Sequence, residues 1–481
     1  MIFNSLTYFV LLFTVVVLYW TLPYRARLLL ILAASLTFYG FWRIEFIPVM
    51  LVSIVVDYFV ALQMPEAKHQ QKLKLLIISL VVNLGLLFYF KYLIFFADNA
   101  VGFANLLGAD VDPLVMDIIL PLGISFYTFQ TISYSVDVYR GSIKPEKDFV
   151  LYACYVTFFP QLVAGPVLRA AEVLHQFAHR IPFRWHDIVV GLRRVFYGLF
   201  LKVVLADNIA PFVDAGYSMP VDTISAIDVW TLAFLFGFQI YFDFCAYSHI
   251  ALGSARMMGI CFPENFNFPY VATSPKDFWG RWHISLSSWV RDYLYFPLAG
   301  IKVQDSSVGG LSAATSEGKK TKSLYLTWAM MGLWHGANWT FILWGIYHSI
   351  IIFLYRILLP VIKLLNIKIR IYGGILVTLL LMMLAWIPFR ADSLENTFAM
   401  WSKVVNLSEY FSMSMRENTY LVAALMTIGM LMTYWVKEKL HPAIKNNTVL
   451  NIAGESIFFS IIMSLIIIYL RPINQFIYFQ F

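Results

Sequence analysis

The sequence predicts an all-α polytopic membrane protein. Three features carry that prediction: apolar runs of about 20 residues recur along the whole chain, charge is scarce, and basic residues gather between the runs. Of the 481 residues 60% are hydrophobic and 13% charged, against about 25% charged in a soluble domain, which excludes a water-soluble reading.

The first run, 6–22, is followed at once by others, so it reads as a retained span and not as a cleaved signal peptide. Further spans are expected at 27–42, 46–63, 73–96 and 114–136. Loops rich in Lys and Arg mark the cytoplasmic side. Arg25 and Arg27 therefore put the N-terminus outside, the basic loops 65–74 and 139–147 lie inside, and the acidic loop 97–113 lies outside. The run 149–167 holds Pro160, Gly165 and Pro166 and has basic residues on both sides, which fits a re-entrant segment buried in protein. Next come spans at 195–212 and 230–252, joined by the acidic loop 214–228.

Residues 253–323 break the pattern with polar groups, Trp and Pro, and include a cytoplasmic loop at about 301–323 rich in Ser, Gly and Lys. Apolar character returns over 324–355, interrupted at 332–338, and three spans follow at 371–388, 420–436 and 457–470. Their flanks 363–370 and 437–445 are basic, so the last span leaves the tail 471–481 outside. We expect residues 1–481 to form one transmembrane domain. The net charge of +7 lies in these short clusters, without the continuous basic face that nucleic acid requires. Cys154, Cys245 and Cys261 lack metal-ligand spacing and read as packing residues, and no metal site is expected.

Two segments carry chemistry. In Met331-Gly332-Leu333-Trp334-His335-Gly336-Ala337-Asn338-Trp339 a histidine sits within an apolar run, where ionisable groups are costly and usually functional. The plainer alternative is a histidine hydrogen-bonded between helices, but the flanking glycines permit close approach by another element or a ligand. Upstream, 279–293 mixes Trp, Arg, Tyr and Ser around His283; without that imidazole it would read as an interfacial anchor. An imidazole can take a proton at neutral pH, as a general base must.

Arg281-Trp282-His283 with Ser285, then 289–297, and Trp334-His335-Gly336 with Trp339 resemble the membrane-bound O-acyltransferases, in particular their alginate O-acetyltransferase subunit I branch. Further matching pieces are 121–126, 158–161 with 164–166, and Tyr241-Phe242-Asp243-Phe244, so the resemblance covers nearly the whole chain. It implies a bundle of roughly 11 helices with re-entrant segments around a central tunnel. It also implies that His335 is catalytic and that His283 is a second required residue in the same tunnel. Acetyl transfer from a thioester to a hydroxyl needs a base and donors for the developing oxyanion. His335 suits the first role; Asn338, Trp339, Trp334, Arg281 and Ser285 are candidates for the second or for lining the tunnel.

The resemblance further implies acetyl-CoA as cytoplasmic donor, a bacterial inner-membrane location, and a periplasmic acyltransferase partner of the Ser-His-Asp (SGNH/GDSL, AlgJ- or AlgX-like) type. The chain has no Gly-x-Ser-x-Gly elbow of its own. Phe476, Tyr478 and Phe481 resemble the F-x-Y-x-x-F tail of these systems, in which the tyrosine is proposed to carry the acyl group; the alternative is an aromatic belt. The polymer is left open among alginate, cellulose, peptidoglycan and other exopolysaccharides. Two competing functions are D-alanyl transfer to teichoic acid and a multi-span transporter with broken helices. Contacts with membrane lipids are expected under any of them.

Overall fold

The structure, a computed structural model, describes residues 3–179, 181–303, 311–312, 316–440, 442, 448–470 and 476–477. Parts of the expected cytoplasmic loop and most of the expected tail, including Tyr478 and Phe481, therefore lie outside the described residues.

Helix α1 (Leu6–Thr21) starts where Ser5 accepts a hydrogen bond from the Tyr8 amide, a hydroxyl N-cap. It buries Tyr8, Leu12, Val15 and Tyr19 while exposing Leu6, Val10 and Phe13. Apolar residues on both faces suit a helix with protein on one side and lipid on the other. Helices α2 (Tyr24–Gly40), α3 (Ile47–Gln63) and α4 (His69–Leu106) follow. The last is a single 38-residue helix carrying a π turn at Phe88–Tyr92.

The next helix departs from its expected bounds. Residues 109–121 are not helical, and α5 runs Ile124–Arg140, ten residues later than the span predicted from residue 114. Pro113 and Pro121 lack amide donors, and Gly123 holds φ 73°, a left-handed conformation that starts the helix afresh. A Cβ at Gly123 would also lie 2.5 Å from the Leu162 carbonyl oxygen.

Helix α6 (Phe149–Thr157), capped by Asp148, has nine residues, too few to cross a bilayer. The irregular segment 158–168 after it is almost wholly buried, as a re-entrant stretch inside protein requires. Helix α7 (Ala170–Ala178) leads to α8 (Trp185–Leu199), which continues through a π turn at Phe200–Ala206 into α9 (Asp207–Tyr217).

Helix α10 (Ala226–Met257) is the axis of the molecule. It opens with a Ser225/Asp228 capping box, and 83% of its most apolar window is buried, against 17–44% in the other long apolar helices. Helix α8 lies directly on it: a Cβ at Gly191 would fall 2.6 Å from the Gly253 oxygen, and one at Gly198 would fall 2.7 Å from the Ala246 oxygen. Small residues are what bring membrane helices this close.

Three short helices, α11 (Pro275–Trp279), α12 (Ile284–Val290) and α13 (Phe296–Ala299), occupy the polar region, followed by a two-residue antiparallel pairing of Lys302–Val303 with Leu311–Ser312. Then come α14 (Glu317–His335), α15 (Trp339–Ile362), α16 (Ile367–Arg390), α17 (Leu394–Val405), α18 (Glu417–Trp435) and α19 (Thr448–Ile468). Among the described residues six helices are long and apolar enough to cross a membrane, with shorter apolar helices beside them. The protein is an all-α, multi-pass membrane protein.

A buried polar cluster ties the N-terminal helices together. Asp57 on α3 accepts from Ser79 and from Asn83 Nδ2 at 2.7 Å, both on α4, and from Ser135 Oγ at 2.9 Å on α5. Thr131 donates to Asn83 Oδ1 at 2.9 Å. In apolar surroundings a carboxylate is tolerated only with its lone pairs occupied.

Candidate functional site

Helix α14 begins outside the apolar region, where a hydrogen bond from Lys320 holds the Glu317 carboxyl below the usual glutamate range. It ends at His335, deep in the protein. Glycines shape this end. A Cβ at Gly332 would sit 2.1 Å from the Phe341 carbonyl oxygen, and one at Gly345 2.1 Å from the Trp328 carbonyl oxygen, so α14 and α15 cross backbone to backbone. At Gly336 a Cβ would meet the Phe341 ring at 2.1 Å. The chain therefore turns at once after His335 and re-enters as α15, where Asn338 Oδ1 caps the Thr340 amide at 3.0 Å.

The His335 imidazole is buried among Trp334, Trp344 and Phe389, with ring centroids 4.8, 4.9 and 5.2 Å away. The indole nitrogens of Trp334 and Trp344 are buried with no protein acceptor among the described residues. Both are donors beside an imidazole. Trp339 is different: its side chain is half exposed, and its indole N–H is given to Asn99 Oδ1 at 2.9 Å.

His283 starts α12 with φ 42° and ψ 53°, a left-handed conformation uncommon for a residue with a Cβ. Asn265 explains how it is held. The Asn265 backbone oxygen accepts from the Ile284 amide at 2.9 Å, and its Oδ1 accepts from Ser285 Oγ at 2.9 Å and faces His283 Nδ1 at 3.2 Å. Its Nδ2 donates to Ser248 at 3.1 Å, and the Ser285 amide, which can only donate, sits 3.3 Å from Oδ1 and fixes the amide orientation. Nδ1 of His283 is thus the donor, and the basic lone pair of the neutral ring lies on Nε2. Ser285 Oγ also accepts from the Val167 amide at 3.0 Å, tying the irregular segment after α6 to this histidine. Arg281 points elsewhere: its Nε pairs with Asp277 at 2.8 Å.

The two histidines share one chamber. Around His335, the Trp344 ring lies 4.6 Å from that of His348, and Lys91 Nζ reaches the His335 carbonyl oxygen at 3.2 Å. Phe126 on α5 spans the gap, its ring 6.5 Å from that of His283 and 5.7 Å from that of Trp334. Phe244 on α10 closes the other side of His283 at 4.6 Å. Two apolar cavities lie nearby, the larger of them bounded by Trp334 of the chamber. One of about 160 Å³ is lined by Trp279, Arg291, Thr327 and Trp328, and one of about 300 Å³ by Tyr92, Phe129, Trp289 and Trp334; Val290 and Met331 border both.

Sequence reasoning found both histidines and missed Asn265, Lys91, Trp344 and His348. Lys91 had a detectable signal, a lysine inside an apolar run, which the run's mean hydropathy concealed. Trp344 and His348 face inward at i and i+4 on a helix that otherwise reads as an ordinary span.

A last element reaches this region from the far end of the chain. Phe476 and Ile477 are buried. The Ile477 amide donates to Asp243 Oδ2 at 2.7 Å, and Asp243 in turn pairs with Lys202 at 2.6 Å. Lys202, in the π turn after α8, also pairs with Asp207 at 2.9 Å and lies 4.5 Å over the Phe476 ring. Asp243 is the residue before Phe244, the wall of the His283 pocket.

The family model described as MBOAT, membrane-bound O-acyltransferase family, matches residues 142–389. A probable alginate O-acetylase AlgI of Azotobacter vinelandii is 38% identical over 82% of this chain and 75% of its own length. A peptidoglycan O-acetyltransferase of Helicobacter pylori is 35% identical over 80% of this chain and 75% of its own. Similarity to a teichoic acid D-alanyltransferase of Bacillus subtilis is 29% over 49% of this chain and 58% of that protein.

Proposed function

Because this chain belongs to the membrane-bound O-acyltransferase family, we propose that it takes acetyl groups from cytoplasmic acetyl-CoA and delivers them across a bacterial inner membrane for O-acetylation of an extracytoplasmic polysaccharide. One observation carries the reading: His335 and His283 line a buried aromatic chamber bridged by Phe126 and Trp334, in which two indole N–H groups beside His335 have no protein acceptor among the described residues. His335 takes the proton of the attacking hydroxyl as the new C–O bond forms. Trp334 and Trp344 donate to the oxyanion of the tetrahedral intermediate. Collapse breaks the C–S bond, and coenzyme A leaves as the thiol once its sulfur takes up the proton. The cavities that share Val290 and Met331 supply an apolar route for the donor's arm from the side of Arg291.

Termini on the outer face, one domain over 1–481 and a periplasmic Ser-His-Asp acyltransferase as acceptor of the acetyl group complete the proposal. The phenol of Tyr478 is the carrier. A phenol of pKa about 10 is a better leaving group than an alkyl alcohol, so its ester passes the acetyl group onward readily. Support comes from Phe476 and Ile477, which immediately precede Tyr478 and are anchored on α10 through Asp243. The test is alkali-labile acetate on the cell-surface polymer of Tyr478→Phe cells: it should vanish while the chain still binds acetyl-CoA. Wild-type acetate in those cells would reduce the tail to a docking segment.

A further inference from the structure

Where α14 ends at His335, a buried residue, its last carbonyl groups lose their helical partners. One side chain meets two of them. Lys91 Nζ lies 2.6 Å from the Trp334 oxygen and 3.2 Å from the His335 oxygen, and 5.9 Å over the Trp334 ring. Those oxygens belong to the peptide units on either side of the His335 α-carbon. A single amine therefore fixes both peptide planes and, with them, the direction in which the imidazole leaves the backbone. Both of its hydrogen-bond partners among the described residues are backbone oxygens.

The rest of the same helix face continues the contact. Lys91 lies in the π turn of α4, and Phe95 and Asn99 follow at intervals of four, on one side of the helix. The Phe95 ring is 5.8 Å from that of Trp339, and Asn99 accepts the Trp339 indole N–H at 2.9 Å. Helix α4 thus grips the 334–339 turn at its start and at its finish. π turns are often found at functional sites, and a lysine in an apolar span is expensive enough to demand a use.

We propose that Lys91 is a positioning residue for His335, and that α4 acts as the clamp that sets the geometry of acyl transfer. This rests on the assignment of His335 as base. Misplacing a reacting group by about 1 Å costs on the order of 100-fold in rate. Lys91→Met should therefore lower kcat for thiol release from acetyl-CoA by about that factor, with KM for acetyl-CoA changed by no more than about two-fold. The assay uses inverted vesicles carrying the full chain, its partner and its polymer. Lys91→Arg, which keeps the donors, should recover most of the rate. Asn99→Ala should slow the reaction by a smaller factor, and its effect should be non-additive with Lys91→Met, because both hold one turn. Lys91→Gln replaces Lys91→Met if the latter fails to insert.

Wild-type kcat in Lys91→Met, or a loss wholly explained by less folded protein or by a raised KM, would overturn the clamp. His335→Gln in the same vesicles separates the two ideas. If it is inactive while Lys91→Met is active, only the clamp fails; if it is active, the base assignment fails first.

Discussion

Two buried polar clusters in this protein obey opposite rules. Around Asp57 the donors and acceptors of α3, α4 and α5 are spent on one another: Ser79, Asn83 and Ser135 all donate to one carboxylate. Around His335 the surroundings are aromatic, and the indole N–H groups of Trp334 and Trp344 have no protein acceptor among the described residues. A closed network holds helices together because every lone pair is already used. A chamber with donors in hand costs stability, and it keeps its hydrogen-bonding capacity for an oxygen that appears only during reaction. Polarity in a membrane core is thus not one signal. What distinguishes structure from chemistry is whether the partners are already present.

Each arm of the comparison can be broken by substitution. The largest effect is expected at His335→Gln, which removes the base and should cut acetylation by about 1,000-fold, within the usual span for a general base, while the melting temperature of the detergent-purified chain holds. A variant that acetylates normally would remove the chamber's claim to chemistry. Next is Trp344→Phe, which keeps the aromatic packing and deletes one N–H. Loss of an oxyanion donor costs on the order of 100-fold in kcat, and the expectation is a fall of that size with donor binding retained. An unchanged kcat would leave Trp334 as the remaining indole candidate. Asp57→Ala should reverse the pattern. It strands three buried donors and should destabilise the chain by about 3 kcal/mol, read as a lowered thermal or denaturant midpoint, with unaltered turnover per folded molecule. If turnover falls instead, the two clusters are not separate in kind.

The same contrast explains what the sequence revealed. Spans such as 46–63 and 371–388 stood out because lipid selects composition over a fixed length, and the structure has α3 and α16 there. His335 and His283 stood out because of their neighbours, glycines beside the first and Trp, Arg and Ser around the second; His348, in an equally apolar run without them, did not. Helix α5 was misplaced at its start because the apolar stretch from residue 114 satisfied a hydropathy window, although Pro121 and Gly123 forbid a continuous helix. Its polar content, Ser125, Thr128, Gln130 and Ser133 among others, is legible only once α3 and α4 are seen to cover it. Asn265 escaped because its role depends on the backbone of residues 283–285 folding over it, a long-range fact with no local pattern. Lys91 escaped because one charge does not change the character of a long span.

The crossing of α14 and α15 at Gly332 and Gly345 has a consequence for motion. Where two helices touch through side chains, rotamer changes let them slide; here carbonyl oxygens meet glycines, and a shift of one residue along α15 would drive the Ile346 or Trp344 side chain into the α14 backbone. The pair therefore travels as one rigid body, carrying His335 with it. Breathing of the chamber then falls to walls outside this pair, such as α5 with Phe126, so the yielding wall and the base belong to different moving parts.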